Sequence, residues 1–358
     1  MNRDICKFNL FITGIGNVGF KLFEELSKNR NFYIKNHQID FVIRGISDSE
    51  KMYFNTNGIS FKNWQHLMKN GEDSNEELFF KKVKNFNLQN SVFVDNTASK
   101  KVADSYIHYL KNHIHVVTCN KIACSSDYFY YKEIKKLSSS CKTKFMFETN
   151  VGSSLPIIQT LNKINDSGKK IESIHGILSG SMNYIFDNFT TENTFHSIVK
   201  DAVNEGFTEP NPKIDLSGID VARKILILCR EMGLKYELSD IHINDFLPKN
   251  CSKTNNNKDF FNCLETNSQT FNDILKTSFK ENAKIKYVAE FKNGKSTVGI
   301  KMIPENHLFH KISSNDNAVL FYVENESDPE ETLIGPGAGS LVTAKGVISD
   351  IIKIAKDF

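Results

Sequence analysis

The residues best placed to do chemistry lie between positions 202 and 224, AVNEGFTEPNPKIDLSGIDVARK. The stretch carries Glu205, Glu209, Asp215 and Asp220 with Lys213 and Lys224, punctuated by Gly206, Pro210, Pro212 and Gly218. The prolines fix φ and bar a helix from 209 to 213, which leaves Glu209 on a rigid extended turn. Ser217-Gly218 is expected to cap a helix from about Asp220 to Glu231, ended by Gly233. That helix puts Asp220 and Lys224 one turn apart on one face. Its apolar stripe is Val221, Ile225, Leu228 and Met232. Lys224 then sits at the edge of the stripe, half out of water, where desolvation and a neighbouring carboxylate tune an amine for proton transfer. The plainer alternative is a capped surface helix with a solvated ion pair of little weight.

A second chemical signal opens the chain. FNLFITGIGNVG reads as a short apolar strand running into Gly14-Ile15-Gly16-Asn17-Val18-Gly19, then an amphipathic helix with Val18, Leu22 and Leu26 on one face. Between a strand and a helix this pattern reads as a dinucleotide cradle, with a chance Gly-rich turn as the alternative. Gly14 permits the tight turn, Gly16 lets backbone approach a pyrophosphate, and Gly19 lets the helix pack close, with the pyrophosphate on the helix N-terminus. The next strand is IDFVIRGIS, 39 to 47. Asp48 at its end suits a ribose 2′-hydroxyl, as in NAD, although it lies somewhat beyond the usual spacing of about 20 residues. Arg44 and Lys51 nearby suit a 2′-phosphate, so NAD and NADP both stay open.

The elements that must position these groups follow a strand–helix rhythm. Residues 55 to 90 read as largely helical, and strands are expected at 91–99, 113–121 and 144–158. This implies a Rossmann-type doubly wound parallel sheet, with functional residues at the carboxyl ends of its strands. Thr97, Lys121 and Glu148 fall there. A second α+β domain follows, with a strand, a Gly-Ser turn and a helix start over 171–186 and strands at 284–291, 297–303 and near 318–323. Residues 249 to 273 read as a solvated, Asn-rich loop with a short helix. The expected division is 1–150 for nucleotide, 151–330 for substrate binding and dimerisation, and 331–358 as a segment returning to the nucleotide domain.

The 202–224 stretch resembles the signature of homoserine dehydrogenases, through Ala202, Gly206, Phe207, Thr208, Asn211, Pro212, Asp215, Leu216, Gly218, Asp220 and Lys224. Where that family commonly has Asp-Pro-Arg, this chain has Asn211-Pro212-Lys213. Asn120-Lys121, ETNVG at 148–152, LPI at 155–157 and SGSMN at 179–183 resemble it too, and the likeness runs from the glycine turn to the last helix. It is nearest to the dehydrogenase half of fused aspartokinase–homoserine dehydrogenases, and no kinase or ACT-like regulatory stretch is expected within these residues. The resemblance implies reversible NAD- or NADP-linked conversion of L-aspartate 4-semialdehyde to L-homoserine, on the path to threonine, methionine and isoleucine.

It further implies Lys224 as proton donor, Lys121 as a second relay or clamp, and Glu209, Asp215 and Asp220 at the substrate. Thr97, Lys121, Gly206 and Gly339 would meet the cofactor with the glycine turn. Glu148 and the carbonyls of Val151, Ser153 and Leu155 correspond to a monovalent-cation loop, whose oxygen donors suit Na⁺. A structural turn without an ion is the alternative there. His175 reads as a strand residue, and Cys119, without a partner motif, as a small buried one.

Composition excludes other classes. Basic and acidic residues nearly balance, 45 against 42, which leaves no nucleic-acid or membrane footprint. No apolar stretch is long enough for a membrane span or a signal peptide. The 7 cysteines show no metal spacing and are expected as free thiols in a reducing cytoplasm. The resemblance, together with a β-rich central segment whose sheet needs a cover, implies a homodimer joined through the central domain.

Overall fold

The computed structural model describes residues 5–313 and 316–357. The chain divides into two compact units, Met1–Ser154 with Gly339–Phe358, and Leu155–Ala338.

The first unit is built on β1 (Cys6–Thr13), β2 (Ile39–Ser47), β3 (Lys51–Phe54), β4 (Glu72–Asp73), β5 (Ser91–Asp95), β6 (His115–Thr118) and β7 (Phe145–Met146). Their order is β4-β3-β2-β1-β5-β6-β7. β1 pairs in parallel with β2 and β5, and β5–β6–β7 continue in parallel, which is the doubly wound arrangement expected. β3 and β4 add an antiparallel edge, of which only β4 falls within the 55–90 stretch read as largely helical. β1 reads as an almost unbroken apolar run because both faces of the sheet are covered. Leu22, Phe23 and Leu26 of the Asn17–His37 helix and Val347, Ile351 and Ile354 of the Ser340–Lys356 helix share one core with Phe8, Leu10 and Ile12. Each such side chain contributes about 1.5–3 kcal/mol when fully buried.

The second unit carries β8 (Ile171–Ile177), β9 (Ile241–Ile243), β10 (Ala283–Lys292), β11 (Lys295–Pro304), β12 (Asp316–Val323) and β13 (Glu331–Pro336), in the order β13-β12-β8-β10-β11-β9. Asn293-Gly294, both at positive φ, close the tight β10–β11 hairpin. The Ile219–Glu231 helix packs against β9, β10, β11 and the Ile157–Asp166 helix. It is buried round most of its circumference, from Val221 to Arg230, rather than along a single stripe.

Three expectations are corrected here. Pro212 does not keep its segment extended: it is the first residue of a helix, Pro212–Leu216, where its missing N–H costs nothing. The 249–273 stretch is helical, in Lys249–Ser252, Asn257–Thr266 and the start of Ser268–Lys280, with Asn256 capping the second of these. Cys251 and Cys263 are not free thiols but a disulfide, with their Cα atoms 5.4 Å apart across the first two of those helices. Cys6, Cys119, Cys124, Cys141 and Cys229 form no disulfide. Among the described residues no helix is long and apolar enough to cross a membrane.

Candidate active site

In the first unit, sterics at the glycine turn decide what the backbone can approach. Gly14 has φ 85°, and a Cβ there would press to 2.8 Å from Asn96 and Thr97. A Cβ at Gly19 would run into the Gly14 carbonyl. Nothing lies within 4 Å of where a Gly16 Cβ would stand, so that stretch of backbone is open to a ligand. Gly16 is the N-cap of the Asn17–His37 helix, with no side-chain cap and no acidic residue in the first turn. The leading N–H groups therefore still need acceptors, and an anion supplies them. Asn17 heads that helix, and Val18 turns toward the core. A cavity of about 470 Å³ opens at the carboxyl ends of β1, β2 and β5, lined among others by Gly14, Ile15, Gly16, Asp48 and Thr97. These residues fit a dinucleotide.

A buried network holds the same strand ends. Asp95, fully buried, accepts the Thr97 backbone N–H at 2.7 Å, Asn120 Nδ2 at 3.0 Å and the Tyr106 hydroxyl. Burial pushes the Asp95 carboxyl above its ordinary pKa, and those donors oppose the shift. Asn120 Oδ1 accepts the Ile122 N–H at 3.0 Å, which sets half-buried Lys121 at the cap of the Ile122–Ser125 helix. Burial also pushes the Cys119 thiol up to about 12, so it stays protonated and is no nucleophile.

In the second unit, Lys224 is more deeply placed than the half-solvated position expected. The residue is only 9% exposed. Its Nζ donates to the Leu178 carbonyl at 2.7 Å and lies 2.7 Å from Asp220 Oδ2. Leu178 directly precedes Ser179, which caps the Gly180–Asn188 helix, so a strand end and a helix cap together aim the lysine. Asp220 is itself nearly half exposed, so its carboxylate reaches both the lysine and solvent. Asp215 accepts the Ser181 hydroxyl and the Glu209 backbone N–H, both at 3.0 Å. Burial first, then Glu209 and Asp220 nearby, raise the Asp215 pKa, while the two donors pull it down. Glu209 is exposed, and Asn183 is buried and accepts from Lys286 at 2.9 Å. Gly218, φ 72°, has the Tyr287 hydroxyl where a Cβ would be. Hence Lys224, Asp220, Asp215 and Glu209 are brought onto one turn–helix element.

Gly206, φ 75°, follows the Phe195–Asn204 helix in the second unit, and Gly339 is the N-cap of Ser340–Lys356 in the first. In the candidate cation loop, Glu148, Val151 and Ser153 belong to the first unit and Leu155 to the second. Glu148 Oε2 lies 3.8 Å from Lys353 Nζ, and the Glu148 N–H donates to Asp350 Oδ2 at 3.0 Å. Ser153 occupies the left-handed region, φ 58°, with its hydroxyl 2.9 Å from that of Thr343. The Leu155 carbonyl accepts the Ile157 N–H at 2.8 Å. Among the described residues no group of three or more His, Cys, Asp or Glu stands ready for a metal.

The homoserine dehydrogenase family model matches residues 156–352, more than half of the chain. The chain belongs to the homoserine dehydrogenase family. The model for the homoserine dehydrogenase NAD-binding domain matches residues 14–148, which includes the glycine turn. The family is one of NAD(P)-dependent oxidoreductases. A bifunctional aspartokinase/homoserine dehydrogenase of Haemophilus influenzae is 34% identical over 346 residues, 96% of this chain and 42% of that protein. A chloroplastic one of Arabidopsis thaliana is 36% identical over 96% of this chain and 38% of its own length. The chain thus spans about two fifths of these relatives. Among solved structures, a Candida auris protein of unknown function covers 98% of both chains at 28% identity, TM-score 0.89. A putative homoserine dehydrogenase from Archaeoglobus fulgidus, at 22% identity and TM-score 0.77 over 97% of this chain and 99% of its own, shares the fold.

Sequence reasoning missed the Leu178 carbonyl, because a backbone acceptor leaves no mark on residue type. It also missed the Asp95–Tyr106 contact, although the pair lies only 11 positions apart. A carboxylate directly after the apolar run Val92-Phe93-Val94 was the available signal.

Proposed function

We propose that this chain catalyses the reversible NAD(P)-linked interconversion of L-aspartate 4-semialdehyde and L-homoserine, within threonine, methionine and isoleucine biosynthesis. The observation that carries the reading is the buried Lys224 ammonium held between Asp220 and the Leu178 carbonyl. A bound nicotinamide supplies or accepts the hydride. Lys224 gives its proton to the oxygen that becomes the hydroxyl, and takes it back in the reverse direction. Asp220 orients Lys224 and, with Glu209 and Asp215, recognises the amino-acid head. Lys121 serves as a second relay or electrostatic clamp. Thr97, Gly206, Gly339 and the Gly14–Gly19 turn hold the dinucleotide. A structural neighbour was solved in complex with NADPH, so both dinucleotides enter the test.

The deciding assay compares oxidation of NADH or NADPH by aspartate semialdehyde with phosphate-dependent reduction of NAD⁺ or NADP⁺. Activity only in the second assay would make the chain an aspartate-semialdehyde dehydrogenase, a reading the protonated Cys119 disfavours. Glu148 with the carbonyls of Val151, Ser153 and Leu155 offers hard oxygen donors for Na⁺. Lys353 already stands near Glu148 and competes with it. Replacing Na⁺ by tetramethylammonium at constant ionic strength should lower activity, and an unchanged rate removes the ion from the reading. The second unit is proposed to carry substrate and to pair two chains, and a monomeric mass at micromolar concentration rules that out. A cytoplasmic location rests on the five cysteines outside any disulfide, while the Cys251–Cys263 bond bears against it.

A further inference from the structure

The cavity in the first unit contains a choice between dinucleotides. Its β2 side is formed by Ser47, Asp48 and Ser49, and it is completed by Ser74 and Glu76. No Lys or Arg is among its lining residues. The two cations near β2 are engaged elsewhere. Arg44 donates to Asn9 Oδ1 at 2.8 Å and to the Thr56 carbonyl, and Lys51 pairs with Asp73 at 2.8 Å.

The acidic group at the strand end is also fixed. Asp48 Oδ1 accepts the backbone N–H of Glu50 at 2.8 Å and of Lys51 at 2.7 Å. The Ser74 hydroxyl donates to the Asp48 carbonyl at 2.8 Å, tying the approach to the Glu76–Phe86 helix to the end of β2. Glu76 is the first residue of that helix, whose cap, Asn75, already accepts the Leu78 N–H. Asp48 and exposed Glu76 therefore line one cavity from separate elements that a hydroxyl joins.

We propose that Asp48 and Glu76 make this chain selective for NAD(H) over NADP(H), by accepting from a ribose with free hydroxyls and repelling a 2′-phosphate. The proposal rests on the dinucleotide reading above. An ionised carboxylate accepts hydrogen bonds and donates none, so it rewards a sugar hydroxyl. A phosphate monoester carries roughly −1.5 to −2 at pH 7 and would meet two negative charges with no guanidinium fork to receive it. At separations of 4 Å near a protein surface, one such charge pair changes affinity by an order of magnitude or more.

The test is binding, read separately from turnover. Dissociation constants for NADH, NADPH, ADP-ribose and 2′-phospho-ADP-ribose are measured on the native chain and on Asp48→Asn, Glu76→Gln, the double variant and Lys51→Ala, each checked for folding by circular dichroism. The native chain should bind NADH and ADP-ribose at least about tenfold tighter than their 2′-phosphorylated counterparts. The double variant should bring that ratio below about threefold, mainly by tightening the phosphorylated ligands, with each single variant in between. Lys51→Ala should leave the ratio unchanged. Equal native affinities, an unaltered ratio in the double variant, or loss of NADPH binding in Lys51→Ala overturns the proposal while leaving the dehydrogenase reading intact. Binding of none of the four ligands overturns both.

Discussion

The two units build their sites from different materials. In the first, the cradle is backbone: Gly14 bends because φ is positive, Gly16 leaves space, and the uncapped Asn17–His37 helix offers its N–H groups. Side chains there mostly brace strand ends, as Asp95, Tyr106 and Asn120 do. In the second, the atoms proposed to work belong to side chains, Lys224, Asp220 and Asp215, and the backbone braces them through the Leu178 carbonyl and the Glu209 N–H. A backbone site binds a ligand whatever its reacting end is doing. A side-chain site with a buried ammonium changes protonation, which is what a reaction step needs. Substitutions should therefore separate binding from turnover along the line between the units.

The largest effect should come from the lysines. Lys224→Ala is expected to reduce kcat by about 100- to 10,000-fold, the loss typical of a missing general acid, with dinucleotide affinity nearly unchanged. Lys121→Ala should lower the rate and also weaken dinucleotide or substrate binding. Asp220→Asn should lose activity because Lys224 loses its orienting carboxylate. Steady-state kinetics and fluorescence titration of NADH on the folded variants read both quantities. A Lys224→Ala enzyme that keeps more than about a tenth of native kcat returns the pair to the status of an ordinary ion pair.

Glycine substitutions sharpen the contrast by splitting stability from binding. Gly218→Ala must adopt φ 72° and displace the Tyr287 hydroxyl, so about 2–5 kcal/mol of stability should be lost. Gly14→Ala should behave alike against Asn96 and Thr97. Gly16→Ala has open space and ordinary φ, so urea midpoints should hardly move while NADH affinity falls. If Gly16→Ala binds NADH normally, the pyrophosphate does not approach there, and the backbone account of the first unit fails.

This difference also governs what was legible in the sequence. Gly14, Gly16 and Gly19 declare a backbone requirement through residue type, so the cradle and the parallel sheet behind it could be read directly. The helix carrying Lys224 was visible from its caps, and its start and end match to within a residue. The depth of Lys224 was not legible, because its helix packs against β10 and β11 and its Nζ meets the Leu178 carbonyl, all distant in sequence. Pro212 was misread because proline bars a helix interior yet favours its first turn, and only the following residues decide which applies. The Cys251–Cys263 pair escaped because neither its spacing nor its Asn-rich surroundings announce that two helices meet there.

That bond gives a further, smaller difference, since the disulfide lies in the second unit alone. It closes a loop of sequence separation 12 that contains Thr254, whose carbonyl accepts Lys213 Nζ, and Asn257, whose amide donates to the Pro210 carbonyl at 2.7 Å. Reduction should cost about 3 kcal/mol by chain entropy. It should also raise KM for the semialdehyde more than KM for NADH, because the freed helices adjoin Glu209 and Asp215 rather than the cradle. Kinetics with and without dithiothreitol, repeated on Cys263→Ser, check this. Equal changes in both KM values would mean the clip acts only on global stability.

The smallest expected effect is a pH dependence that each unit carries in its own histidine. His115 on β6 is only 4% exposed, and burial together with the Lys144 charge lowers its pKa to about 4. Its Nδ1 accepts the Lys144 N–H at 3.0 Å, which a neutral ring allows. His175 on β8 lies 3.6 Å from Glu290, but that carboxylate is already held by Lys301. Burial and the Lys301 and Lys292 charges leave His175 at about 4 too. An unfolded histidine titrates near 6.5. Between pH 6.5 and 4 the unfolded chain therefore binds more protons, so stability rises with pH there and is lost on acidification. Above 6.5 neither group contributes a slope. Each histidine accounts for about 1–3 kcal/mol by its shift. The chain's single tryptophan, Trp64, sits in the first unit's core, so its fluorescence reports that unit. His115→Gln should flatten the pH dependence of the Trp64 urea transition between pH 6.5 and 4.5, while His175→Gln leaves it unchanged. A His175→Gln variant that flattens it equally would mean that the two units unfold as one, whatever separates the chemistry of their sites.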